Sequence, residues 1–231
     1  LLFFIAVGQG GRMTGGYEAA RLDERQIALR KTAEPSPLRD ACHTLDSPDF
    51  TPPSRSCTYF SGRTTWAVFG DSHAVELAYA LAEGLRDHGQ SLRHLSFSGC
   101  GPVLGQGDLD TPCRRWSDAA LAYLLSLRGV DTVVVAYRMN LYLFGEHEGI
   151  YPALPDTVGE AARQRVWRSY VDLVTRLHAA GKRVVVLQQA PELRKGIGDL
   201  ILLERGERIV GVAERWWTRR QRFVRDHLAD L

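Results

Sequence analysis

Gly70-Asp71-Ser72-His73 places a hydroxyl nucleophile where a hydrophobic run hands over to a helical one. A serine at such a handover sits at the carboxyl edge of a parallel sheet, where open α/β folds bind ligands. The helix that follows aims its first N–H groups and its positive dipole end at any oxyanion forming there. Gly70 permits a tight turn that a Cβ would crowd. The chemistry would be nucleophilic catalysis through a covalent intermediate. The same residues also suit an ordinary Asp or Ser helix cap, and the tetrapeptide alone leaves both readings open.

The surrounding pattern supplies the elements that must hold this turn. Short apolar runs predict four strands, at 66–70, 92–97, 131–137 and 183–189, the third with three consecutive valines. Between them, helical spacing predicts helices over 74–88, 116–127 and 159–180, the last closed by Gly181, and a final helix over about 212–228. Strands alternating with helices imply a parallel sheet with helices on both faces. A shorter helix is expected within 17–33. Residues 35–55 hold five of the ten prolines and read as an extended connector.

Composition removes other classes. With 45% hydrophobic and 24% charged residues among 231, the chain is neither disordered nor fibrous. A formal charge of +2 gives no electrostatic footprint for a nucleic-acid partner. The opening LLFFIAV is too short to span a membrane. A buried strand and a signal-peptide core are alternatives, but residues 1–10 are read here as the tail of a transmembrane helix. The last helix has no strand after it, so the fold is expected to lack its final βα element.

Cys42, Cys57, Cys100 and Cys113 form two sequence-local pairs without the spacing of a zinc site. Each pair brackets a turn-rich loop that a staple would stabilise, by about 3 kcal/mol in the chain-entropy account. Bridges Cys42–Cys57 and Cys100–Cys113 would place the domain in an oxidising compartment. Four unpaired thiols are the alternative. GEHEG at 145–149 is read as a solvated loop rather than a metal site, and no metal or cofactor is expected.

GDSHA after a hydrophobic strand resembles the first block of the SGNH (GDSL-like) hydrolase superfamily. More closely, the chain resembles the periplasmic SGNH domain at the C-terminus of membrane-bound acyltransferase family 3 proteins, which O-acetylate surface polysaccharides such as lipopolysaccharide O-antigen. The resemblance rests on the apolar start, the cysteines ahead of GDSHA, SGCGP with a cysteine following, VVVAYRM and VVVLQQAP, and covers about 40–230. It implies a three-layer α/β/α, flavodoxin-like fold. The implied organisation is a connector with a disulfide-bridged loop over 11–63 and an SGNH-like domain over 64–231. It makes Ser72 the nucleophile and its N–H the first oxyanion donor. Gly99 would be a second donor, with Gly101 its rival. Asn140 is a candidate third donor, although Tyr137-Arg138-Met139-Asn140 departs from the family's Gly-x-Asn. Arg138 would contact an acyl or sugar oxygen, or else hold a structural ion pair.

The family's base and orienting acid come from an Asp-x-x-His motif near the C-terminus, and none of the seven histidines supplies it: the residue three before His227 is Val224. Truncation and a degenerate, non-catalytic glycan-binding domain both account for that gap, and in either case these residues alone are not expected to complete a triad. The resemblance implies an extracytoplasmic domain anchored to the inner membrane. Its partners would be an upstream membrane acyltransferase domain, an acyl donor and a polysaccharide acceptor. A secreted or periplasmic esterase, or a glycan deacetylase, is the rival enzyme.

Overall fold

The computed structural model describes residues 22–104, 110–203 and 211–231. Residues 1–10, read above as a helix tail, lie outside them. Two compact units are present. In the smaller, α1 (Glu24–Lys31) opens with a reciprocal cap: the Asp23 side chain accepts from the Gln26 N–H while the Gln26 side chain accepts from the Asp23 N–H. The α1 helix packs against α7 (Ile197–Leu203), and Gln26 Nε2 donates to the Ile201 carbonyl at 3.4 Å.

The larger unit, residues 35–191 and 215–231, is a five-stranded sheet in the order β1-β3-β2-β4-β5. Strands β2 (Arg63–Gly70), β3 (Gln90–Ser96), β4 (Thr132–Ala136) and β5 (Arg183–Val186) are parallel, and the two-residue β1 (Thr58–Tyr59) joins β3 antiparallel. The four strands expected from periodicity are therefore all present. The fifth is too short to leave a periodic signal.

Both faces are covered, which is why β4 buries all five of its residues and shows no alternation. One face carries α3 (Ala74–Arg86), whose Ala74, Ala78 and Ala82 recur every fourth residue and bring the helix close to Val68, Leu92 and Val134. The other carries α4 (Pro112–Ser126) and α6 (Glu160–Ala179), packing Trp116, Leu121, Trp167, Tyr170 and Leu173 against Phe69, Leu95, Val133 and Val135. The α6 helix stops at Gly181, whose φ of +77° is the left-handed conformation that favours glycine there.

Three details differ from the sequence reading. Helix α5 (Met139–Phe144), directly after β4, is too short to register as a helical period. The helix expected over 212–228 is divided into α8 (Glu214–Arg220) and α9 (Arg222–Asp226), although Gln221 N still bonds to the Trp217 carbonyl and Arg225 N to that of Gln221. Residues 35–55, read as an extended connector, include α2 (Arg39–Cys42), which leads into a bridge between Thr44 and Phe97, and β1 follows.

Candidate functional site around Ser72

The turn that presents Ser72 is fixed from below. Gly70 ends β2 between β3 and β4, and a Cβ there would lie 1.7 Å from the Ala136 carbonyl oxygen, so only glycine lets β4 pack alongside. The next residue, Asp71, is 1% exposed. Its Oδ1 accepts from the His73 N–H at 2.8 Å, and its Oδ2 accepts from the Arg138 N–H and the Tyr142 hydroxyl, both at 2.9 Å. One buried carboxylate thus ties the turn after β2 to the loop after β4, as charge-assisted bonds do well. Burial, with the neighbouring Asp71 charge and the bond to it, keeps the Tyr142 hydroxyl protonated far above its ordinary range.

The helix-cap alternative bears on Asp71, whose bond to the N–H two residues ahead is of the kind that a capping aspartate makes. The α3 helix has His73 at its N-cap and no side-chain cap, and Asp71 instead closes a turn on the amide two residues ahead. Ser72 is half-buried and its hydroxyl is used in no hydrogen bond among the described residues. Its N–H likewise meets no acceptor there. A serine whose Oγ and N–H are both spare, at the carboxyl edge of β2, can receive an acyl carbon and donate to the oxygen that becomes negative.

Gly99 follows β3, the strand beside β2. Its φ is +63°, its Cβ position is open, and its N–H meets no acceptor among the described residues. Gly101 serves the site differently, because a Cβ there would fall 2.6 Å from the Tyr142 ring. Its smallness lets Tyr142 reach Asp71.

Arg138 and Asn140 lie in the loop and first turn after β4. The Arg138 guanidinium grips Glu146 with two bonds, of 2.9 and 2.7 Å, so the ion-pair reading is realised. Burial alone would raise the Glu146 carboxyl, but the Arg138 fork and the N–H groups of His147 and Glu148 outweigh it and hold it at about 2. Asn140 is fully buried: its N–H donates to Gln189 Oε1 at 2.9 Å, while its own amide finds no protein partner among the described residues. The structure therefore ties the Arg138 backbone to the Ser72 turn through Asp71, and links Asn140 to the segment after β5 instead.

Both expected bridges form, Cys42–Cys57 and Cys100–Cys113. The solvated-loop reading of GEHEG fails at His147, which is 2% exposed, packs on Trp216 and lies 3.2 Å from the Arg138 guanidinium. Among the described residues no group of three His, Cys, Asp or Glu side chains is placed to hold a metal.

Sequence reasoning missed His43. Its Nδ1 lies 2.7 Å from Ser96 Oγ, and Ser96 pairs with Gly70 in register. Burial and the Arg39 charge lower the affinity of His43 for a proton, while Asp71 and Glu76 oppose them. No motif marks this position; only the docking of residues 42–44 on the sheet brings the imidazole towards the Ser72 turn. His227, in contrast, stacks on Phe223 and bonds to its carbonyl oxygen.

The family described as "SGNH domain (fused to AT3 domains)" matches residues 41–231, most of the chain and all of the sheet. No curated protein matches the sequence.

Proposed function

We propose that this chain, which belongs to the family of SGNH domains fused to AT3 domains, works as an extracytoplasmic acyl carrier that acetylates a surface polysaccharide through Ser72. In the first half-reaction Ser72 Oγ bonds to the acyl carbon of the donor as the bond to the leaving group breaks, and the serine proton departs with that group. In the second, a sugar hydroxyl oxygen takes the acyl carbon and its proton returns to Ser72. The N–H groups of Ser72 and Gly99 steady the oxyanion in each half, and the Asn140 amide is a further candidate donor.

The observation that supports this reading best is the pairing of a locked Asp71 with an uncommitted Ser72: the backbone is immobilised while the hydroxyl and amide beside it remain available. The fusion partner of the family supports a membrane acyltransferase domain as donor-side neighbour. Two disulfides agree with an oxidising compartment.

The test is a chromosomal Ser72→Ala substitution in the source cell, read as ester-linked acetyl on the surface polysaccharide by NMR. Loss of that acetyl, restored by the wild-type gene, is expected. Unchanged acetylation refutes the proposal, and increased acetylation would identify a deacetylase instead.

A further inference from the structure

The loop that follows α5 keeps aliphatic side chains in water although it is firmly held. Ile150 is 43% exposed and Leu154 38%. They flank one turn, in which the Ala153 N–H donates to the Ile150 carbonyl at 2.9 Å. The α8 helix fastens this turn. Trp216 is buried against His147 and Tyr151, and its indole N–H donates to the Ala153 carbonyl at 3.1 Å. One helical turn further on, the buried Arg220 guanidinium donates to the Gly145 carbonyl at 2.8 Å. A fastened turn that still presents two aliphatic side chains forgoes the gain of burying them, which is the property of a contact surface.

The same helix is basic on its outer side. Arg215, Arg219 and Arg222 follow at spacings of four and three, so they share one stripe. The bond from Gln221 N to the Trp217 carbonyl carries that spacing across the join between α8 and α9. All three are exposed, and none has an ion-pair partner among the described residues. Arg215 and Arg219 stand next in sequence to Trp216 and Arg220, the two residues that grip the loop, so stripe and turn lie side by side. Arg225 adds to the stripe, and α6, packed on α9 through Trp167 and Phe223, adds the exposed Arg165 and Arg168. These arginines outnumber the nearby acids that no described arginine pairs, Glu148, Glu214 and Asp226. The whole chain carries a formal charge of only +2, so the excess is local.

Exposed aliphatic side chains beside unpaired arginines fit a partner with acyl chains beneath a layer of negative charge. Arginine stems lie along apolar surface while their guanidinium groups bond phosphate oxygens. A soluble acidic glycan would match the arginines and leave Ile150 and Leu154 in water. We propose that the Ile150–Leu154 turn and the arginine stripe dock together on a membrane leaflet that contains anionic phospholipid. Two signals are needed because one apolar or one electrostatic contact gives only marginal membrane residence. The loop begins at Glu146 and His147, which contact the Arg138 guanidinium, so docking brings the carboxyl edge of the sheet to the bilayer. The inference requires no reaction at Ser72.

The test is flotation of the 231-residue chain with vesicles of phosphatidylcholine alone, and of phosphatidylcholine with roughly one third phosphatidylglycerol. Binding about tenfold tighter to the anionic vesicles is expected, weakening as salt is raised. Arg215→Gln, Arg219→Gln and Arg222→Gln combined should abolish that preference. Ile150→Ser with Leu154→Ser should weaken binding to the anionic vesicles about tenfold and leave its salt dependence in place. Each of these side chains is exposed, so both variants should unfold at the wild-type urea midpoint. The apolar opening LLFFIAV is common to every chain tested, so differences between them report this surface. Equal flotation of the wild type and either variant overturns the proposal, as does equal binding to the two vesicle types. So does arginine-dependent retention on polygalacturonate without flotation, which makes the partner an acidic glycan. Ser72→Ala should float as the wild type does, which keeps this result separate from the acetylation test.

Discussion

Replacing Asp71 by alanine tests whether one carboxylate holds the turn that presents Ser72. The wild-type carboxylate accepts three hydrogen bonds, from the His73 N–H, the Arg138 N–H and the Tyr142 hydroxyl. His73 is exposed, so water can replace that partner, whereas the Arg138 and Tyr142 donors face a site buried to 1%. A bond to a charged acceptor contributes about 1.5–3 kcal/mol, so two of them give about 3–6 kcal/mol. Removing the carboxylate also recovers its desolvation cost, which brings the expected loss to about 3 kcal/mol. Tyr142→Phe deletes one of the two bonds and should cost about 1–2 kcal/mol. The assay is urea denaturation of both single variants and the double variant, with amide exchange at Arg138 and His73. Because the two residues share a bond, the double variant should lose less than the sum of the singles. Exchange at Arg138 and His73 should quicken in Asp71→Ala alone. A loss under about 1 kcal/mol, or strict additivity of the two changes, would refute the clamp.

Two further outcomes follow from the same geometry. Gly101→Ala puts a Cβ 2.6 Å from the Tyr142 ring, and overpacking of that kind costs about 1–3 kcal/mol. In a Tyr142→Ala background the cost should vanish, and a denaturation cycle showing it undiminished would contradict the packing role. His94 is fully buried against Tyr59, and burial, with the His43 charge adding to it, holds it at about 4 instead of the ordinary 6.5. Its unfolded form takes up the proton first, so its contribution is complete above pH 6.5 and declines between pH 6.5 and 4, by about 3 kcal/mol in all. His94→Asn should flatten the stability–pH curve over that window, and equal slopes in the two chains would refute the assignment.

Much of the architecture is local in origin and was therefore legible from sequence. The consecutive valines of β4, the fourfold spacing of small residues in α3 and the glycine after α6 act through neighbouring residues, and each element stands where its pattern put it. GDSH likewise identified the turn, because a strand-to-helix handover needs small and polar residues at fixed positions. The family match confirmed the kinship those residues suggested.

What the pattern does not encode is who meets whom across the sheet. Asp71 reads in sequence as a cap or a neighbour of the nucleophile, and it becomes a clamp only because β4 lies beside β2 and delivers Arg138 and Tyr142, about seventy positions away, to its carboxylate. His43 meets Ser96, and Gln189 meets Asn140, by the same kind of long-range pairing. Gly101 could be named as a glycine but not given its purpose until the Tyr142 ring was found above it. Sequence alone determined the four parallel strands, the long helices α3, α4 and α6 and the serine at the first strand–helix junction, since backbone propensity and hydrophobic period act over a few residues. The clamp on Asp71, the pairing of His43 with Ser96 and that of Gln189 with Asn140 were decided only when tertiary packing brought distant residues to one edge.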